Sequence, residues 1–88
     1  MMKILAVCGM GFGTSMMLKM TIEKVLKEKD IRADVETADF TTATSIRADI
    51  IFTNEEFARQ LEGGSVRVVS IKNIADVNEV RAGLETVL

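Results

Sequence analysis

Two short runs of consecutive apolar residues place the strongest constraint on how this chain can fold. The runs cover residues 4–7 and 50–52 and contain no polar side chain. A strand of this kind has both faces buried, which is typical of the central strands of a parallel sheet. We therefore predict central strands over residues 3–8 and 49–53.

Two further segments have strand patterns of other kinds. Residues 31–38 alternate, with charged side chains between Ile31, Ala33, Val35 and Thr37. Burial on one side only predicts an edge strand for this segment. Residues 66–71 are predicted to form the fourth strand, and the polar segment 39–48 is predicted to be a loop with a short helical turn.

Three helices are predicted between and after these strands. An apolar stripe at helical spacing predicts the first over residues 14–28. Asn54 is predicted to cap a short second helix that Gly63 and Gly64 close. Asp76 and Glu79 have the spacing of a capping box at the start of a last helix. The two stripes are Leu18, Ile22, Val25 and Leu26 in the first helix, and Val77, Val80, Leu84 and Val87 in the last.

Strands that are joined by helical crossovers run parallel, with helices on both faces of the sheet. We therefore predict an α/β fold with one four-stranded parallel sheet in the order 2-1-3-4, formed by a single domain over residues 1–88. Ligands of such sheets bind beyond the carboxyl ends of the strands, at the point where the connections diverge. With this order, that point lies beside the first strand.

Composition excludes several classes of function. The net charge of −2 gives no basic surface for nucleic acid, and no apolar run approaches the roughly 20 residues that insert across a membrane. The chain has no histidine and one cysteine, Cys8, which excludes Cys–His catalysis and an internal dithiol cycle and argues against a transition-metal site. We expect no cofactor, no metal and a cytoplasmic location, because a reactive thiol needs a reducing compartment.

Cys8 stands at the predicted carboxyl end of the first strand, directly before a glycine-rich segment and a predicted helix. Free N–H groups and the peptide dipoles of a helix N-terminus attract anions, and glycines allow further N–H groups to turn inward. The same field favours a thiolate, so we expect a lowered pKa and a nucleophilic sulfur. A cysteine in this position is suited to hold a phosphoryl group. Gly9, Gly11 and Gly13 supply the turning N–H groups, and Thr14 and Ser15 supply hydroxyls at the start of the helix.

Cys8 and the glycine-rich segment also have simpler interpretations, and other phosphate motifs contain similar glycines. A lone cysteine is more often a small buried apolar residue, and glycines often serve only to turn the chain. A Walker loop requires a lysine before Thr14 or Ser15, and the dinucleotide motif requires a glycine at Thr14. Both motifs fail here.

The cysteine phosphatase loop, Cys-x5-Arg, is the main alternative. Its length fits, but Thr14 stands where the arginine would stabilise the transferred phosphoryl group. A phosphatase or arsenate reductase is therefore disfavoured, and a non-catalytic anion-binding or sensor domain also stays open.

The segment from Val7 to Met20 resembles the phosphocysteine loop of enzyme IIB of the sugar phosphotransferase system, within the lactose, galactitol and ascorbate group and closest to the ascorbate type. The resemblance implies that Cys8 takes a phosphoryl group from a histidine of enzyme IIA. It also implies that Cys8 passes this group to a sugar held by the membrane component, enzyme IIC. By the same resemblance, the phosphate-binding residues are Gly9, Met10, Gly11, Phe12, Gly13, Thr14 and Ser15.

A carrier must dock both a donor and an acceptor. Met16 and Met20 face away from the apolar stripe of the first helix, and Phe12 lies nearby in the sequence. Exposed apolar groups beside a reactive cysteine often mark a contact site, and methionine adapts to more than one surface. We predict that Phe12, Met16 and Met20 form a shared docking patch.

Overall fold

The computed structural model describes residues 2–7, 12–64 and 66–88, with the side chain of Phe12 excepted. Cys8, Gly9, Met10 and Gly11 lie outside the described residues. The strands are β1 (Met2–Val7), β2 (Ala33–Ala38), β3 (Ile50–Thr53) and β4 (Arg67–Ser70). The helices are α1 (Phe12–Glu28), α2 (Phe40–Ser45), α3 (Glu55–Leu61) and α4 (Val77–Val87).

The four strands form one parallel sheet in the order β2-β1-β3-β4, which confirms the predicted topology. Ile4 of β1 pairs with Val35 of β2 on one side and with Ile50 of β3 on the other. The alternating strand β2 lies at an edge, and the two continuous apolar strands are central, as predicted.

Both faces of the sheet are covered, because successive side chains of a strand point to opposite faces. On one face, Ile4 and Phe52 are fully buried against α1 and α4. On the other face, Leu5 and Ile51 are buried against α2 and α3. The predicted stripe of α1 is buried, and in α4 Val80 and Leu84 are buried while Val77 and Val87 are partly covered.

Two predicted boundaries next to α1 are wrong. The helix begins at Phe12 and not at Thr14, because the hydroxyl residues lie inside its first turn and do not precede it. The edge strand begins at Ala33 and not at Ile31, because the preceding residues end the helix. Asp30 adopts a left-handed conformation with φ 55°. The N–H of Ile31 then donates to the carbonyl oxygen of Leu26 at 2.9 Å.

The capping box predicted at the start of α4 is only half formed. Asp76 accepts hydrogen bonds from two backbone N–H groups of the helix, as predicted. The carboxylate of Glu79 does not return to Asp76. It accepts instead from the N–H groups of Lys72 at 2.8 Å and Asn73 at 2.9 Å. These two residues follow β4, and without Glu79 their N–H groups would need another acceptor.

Polar contacts fix α1 against α4 and the segment before it. Arg81 pairs with the carboxylate of Glu28 at 2.7 Å. The hydroxyl of the buried Thr21 donates to the carbonyl oxygen of Ile74 at 2.7 Å. A hydrogen bond from Lys29 lowers the pKa of Glu85 from its ordinary value. These contacts hold the middle and the C-terminal end of α1 in place.

We expect Gly83→Ala to destabilise the domain, although alanine favours a helix interior by about 1 kcal/mol. A Cβ atom at Gly83 would lie 2.5 Å from Cγ1 of Val69 in β4. Overpacking of this kind costs about 1–3 kcal/mol. The double variant Gly83→Ala, Val69→Ala should be more stable than the sum of the two single changes predicts, when the free energy of unfolding is measured in urea. If the changes in the free energy of unfolding are additive, the side chains at positions 83 and 69 do not clash.

Candidate functional site

The carboxyl ends of all four strands lie at one edge of the sheet, because the strands are parallel. A helix follows each strand, so the four helix N-termini face this edge. The connections diverge at β1, which pairs with β2 on one side and with β3 on the other. Binding sites of open parallel sheets lie at such a point.

Side chains of the preceding residue cap three of these four helix N-termini. Asp39 accepts from the N–H of Thr42 at 2.6 Å, and Asn54 accepts from the N–H of Phe57 at 2.8 Å. Asp76 caps α4 in the same way. The backbone hydrogen bond from Thr42, followed by one from its side chain, lowers the pKa of Asp39 from its ordinary value. The free N–H groups of these three helices are therefore partly occupied by the chain itself.

The N-terminus of α1 differs from the other three. The residue before Phe12 is Gly11, which has no side chain that could accept a hydrogen bond. No acidic side chain lies in the first turn either. The N–H groups of Phe12, Gly13 and Thr14 have no acceptor further back within the helix, and the helix dipole adds partial positive charge at this end. This end of α1 is therefore suited to receive an anion.

The predicted phosphate-binding residues fall into two groups. Cys8, Gly9, Met10 and Gly11 lie outside the described residues. Phe12, Gly13, Thr14 and Ser15 form the first turn of α1. Of these, Gly13 is exposed, Thr14 is half-buried and Ser15 is buried.

The two described members of the predicted docking patch are exposed. Met16 is 37% exposed and Met20 is 63% exposed, while the side chain of Phe12 lies outside the described residues. Both methionines line a largely apolar groove of about 570 Å³ between α1 and the start of α4. Ala75 and Val77 form part of its other side.

Sequence reasoning missed Met17, which is 49% exposed and lines the same groove. The spacing of Met17, Met20 and Lys24 places them on one face of a helix, and this signal could have identified the residue. Thr53 ends the apolar run of β3 as a polar residue and is 1% exposed.

The described geometry is that of a parallel α/β domain whose first helix begins at the switch point of its sheet. The family model described as "PTS system, Lactose/Cellobiose specific IIB subunit" matches residues 3–86. The chain is 34% identical to the "Ascorbate-specific PTS system EIIB component" of Mycoplasma pneumoniae, over 97% of this chain and 93% of that protein.

The fold is also similar to a solved structure, the lactose-specific IIB component domain of the phosphotransferase system of Streptococcus pneumoniae. The TM-score is 0.69 at 18% identity, and the match covers 98% of this chain and 93% of that one. The chain therefore belongs to the lactose/cellobiose-specific IIB family and is a IIB component of the sugar phosphotransferase system. Across the described parts of the chain, no helix combines the length and the apolar character needed to cross a bilayer.

Proposed function

We propose that Cys8 accepts a phosphoryl group from a phosphohistidine of enzyme IIA and passes it to a sugar bound by the membrane enzyme IIC. The supporting observation is the position of Cys8 in the chain. It directly follows Val7, the last residue of the central strand β1, and stands four residues before Phe12, the first residue of α1. The domain is then a protein-cysteine phosphotransferase formed by residues 1–88 and acting in the cytoplasm.

The transfer requires two displacements at phosphorus. In the first, the thiolate of Cys8 attacks, an S–P bond forms, the N–P bond to the histidine breaks, and the imidazole nitrogen keeps the electron pair. In the second, a sugar hydroxyl attacks, the S–P bond breaks, and the thiolate leaves while the hydroxyl proton passes to a base on the acceptor side. In both steps the transferred phosphoryl group carries negative charge, which the free N–H groups of Phe12, Gly13 and Thr14 can stabilise.

The sugar is proposed from the name of the Mycoplasma pneumoniae relative, which is 34% identical to this chain. That relative is ascorbate-specific, so ascorbate or a related carbohydrate is the acceptor we propose.

No base is needed on this chain to activate the sulfur, because the helix N-terminus favours the thiolate. The absence of histidine from the sequence is compatible with this mechanism.

We expect Cys8→Ser to abolish phosphoryl transfer from phosphorylated enzyme IIA and to leave the fold intact. Serine has nearly the same size but lacks the acidic thiol that supplies the nucleophile. Intact mass measures the phosphorylated fraction after mixing with the donor, and urea unfolding controls for stability. A Cys8→Ser protein that still relays phosphate to sugar would contradict the assignment of Cys8.

We also expect phosphorylated Cys8 to persist in water and to lose its phosphoryl group rapidly only to its partners. Thr14 occupies the place of the arginine that phosphatases of this loop length use. Thr14→Arg should raise the release of inorganic phosphate about tenfold or more, because a guanidinium can hold two phosphoryl oxygens. Thr14→Lys is the control, since it adds charge without the planar fork. Rapid release from the unaltered protein would favour the phosphatase alternative.

We propose in addition that Phe12, Met16 and Met20 form a docking patch shared by the donor and the acceptor. The exposure of Met16 and Met20 on the first turns of α1 supports this, because an apolar surface there adjoins the anion-binding end of the helix. Methionines often fill gaps in cores, but both of these side chains are accessible in the described structure. A flexible thioether can fit two different partners.

The double variant Met16→Ser, Met20→Ser should slow transfer from enzyme IIA to Cys8 by about threefold to tenfold, as loss of interface contacts does. Its free energy of unfolding should change by no more than about 1 kcal/mol. Leu88→Ser is a matched control, because Leu88 is 57% exposed and follows the far end of α4. Unchanged transfer rates in the double variant would show that the methionines have no docking role.

A further inference from the structure

The groove that Met16 and Met20 line extends well beyond these two side chains. It follows α1 from Gly13 in the first turn to Lys24. This distance is about three helical turns, or roughly 16 Å at 1.5 Å per residue. An apolar groove of this length fits one face of a partner helix, whose anchoring side chains recur every three or four residues. Because the groove begins in the first turn of α1, its occupant belongs to a partner that reaches the candidate site.

Among the described residues that line the groove, Lys24 alone carries a charge. It makes no ion pair with any part of the chain that the structure describes. Glu28, one turn further along α1, is held by the guanidinium of Arg81 at 2.7 Å. Asp76, across the groove, caps α4. The ammonium group of Lys24 is therefore complementary to a carboxylate on the partner.

A second copy of this chain does not supply that carboxylate. The large apolar side chains exposed in the described ranges are Met16, Met17, Met20 and Leu88, so a second copy would present the same methionine face. A symmetric pair joins the same surface of both copies. It would bring two Lys24 side chains to one interface, and opposed like charges weaken association.

The charge of Lys24 also separates the two partners of the proposed function. The cytoplasmic loops of membrane proteins carry an excess of lysine and arginine. A membrane enzyme therefore favours the same sign of charge as Lys24 on the side that this domain meets. Enzyme IIA, as the donor, is not subject to that rule. The carboxylate that complements Lys24 is expected on the donor.

We propose that the groove binds an amphipathic helix of enzyme IIA, whose apolar side chains lie beside Met17 and Met20 and whose carboxylate pairs with Lys24. Lys24 then favours the donor over the acceptor, and Met17 extends the docking patch on the donor's side. Lys24 lies about three turns from the first turn of α1, so it acts on binding and not on the transferred phosphoryl group. The inference rests on the proposed function in that it takes enzyme IIA as the donor.

The test measures the binding of unphosphorylated enzyme IIA by titration calorimetry at low and at high salt. Lys24→Glu should weaken binding by about threefold to tenfold at low salt, because it places like charges together. The loss should shrink at high salt, which screens the repulsion. Lys24→Arg should retain the affinity of the unaltered chain. Met17→Ser should weaken binding by about threefold at both salt concentrations, because the contact it removes is apolar.

Lys27→Glu is the matched control and should leave the affinity unchanged. Lys27 has the same charge on the same helix, but it lines a separate hollow with Ile31 and Arg32. An equal loss in Lys27→Glu would show only a general attraction between charged surfaces and would overturn the proposal. Unchanged affinity in Lys24→Glu would overturn it as well.

Two further results would assign the groove to another occupant and contradict the proposal. A loss confined to transfer from phosphorylated Cys8 to the sugar would assign it to enzyme IIC. Self-association of this chain that Met17→Ser abolishes would assign it to a second copy. Failure of the proposed function gives a different result. If enzyme IIA binds with the expected dependence on Lys24 but leaves no phosphoryl group on Cys8, the groove is confirmed and the proposed transfer is wrong.

Discussion

All four strands of this sheet run in the same direction, and the position of every polar group discussed above depends on that arrangement. The direction follows from the burial of β1 and β3 on both faces, since both faces must be covered by crossover helices. Crossovers of this kind bring each helix N-terminus back to the carboxyl edge of the sheet. Partial positive charge therefore collects at one edge, although the chain carries a net charge of −2.

Capping decides which part of that edge is open to a ligand. Asp39, Asn54 and Asp76 occupy N–H groups of their own helices, and Glu79 occupies two more after β4. At α1 the preceding residue is a glycine, so the donors there need an acceptor from elsewhere. A thiolate and a phosphoryl group are both anions that such donors stabilise. In the proposed function, one end of one helix serves both the attacking sulfur and the group it receives.

Much of the fold could be predicted from the sequence, because its signals are local and strong. Strands β1 and β3 show continuous apolar runs, β2 alternates, and α1 carries an apolar stripe at helical spacing. The contrast between continuous and alternating strands predicts which strands are central and which lies at the edge. The start of α1 was misplaced because Thr14 and Ser15 resemble capping residues yet lie within the helix. The start of β2 was misplaced because Asp30 ends the helix in a left-handed conformation, for which glycine is the usual signal.

The site could be predicted only in part, because some of its contacts join residues that are far apart along the chain. Cys8 and the glycines stand together in the sequence, so a candidate site could be predicted from residue types and their order. Met17 lines its groove together with residues at the start of α4, which are distant along the chain. Glu79 likewise bonds to Lys72 and Asn73, because the path of the chain after β4 brings their N–H groups to it. Such contacts depend on tertiary structure and leave no local pattern.

The most direct test of this account is to locate the phosphoryl group itself. The protein is phosphorylated by its enzyme IIA, digested under mild conditions that preserve an S–P bond, and sequenced by tandem mass spectrometry. The account predicts that the added mass of one phosphoryl group lies on Cys8 and on no other residue. Phosphate on a different residue, or none on a protein that still supports sugar phosphorylation, would contradict it.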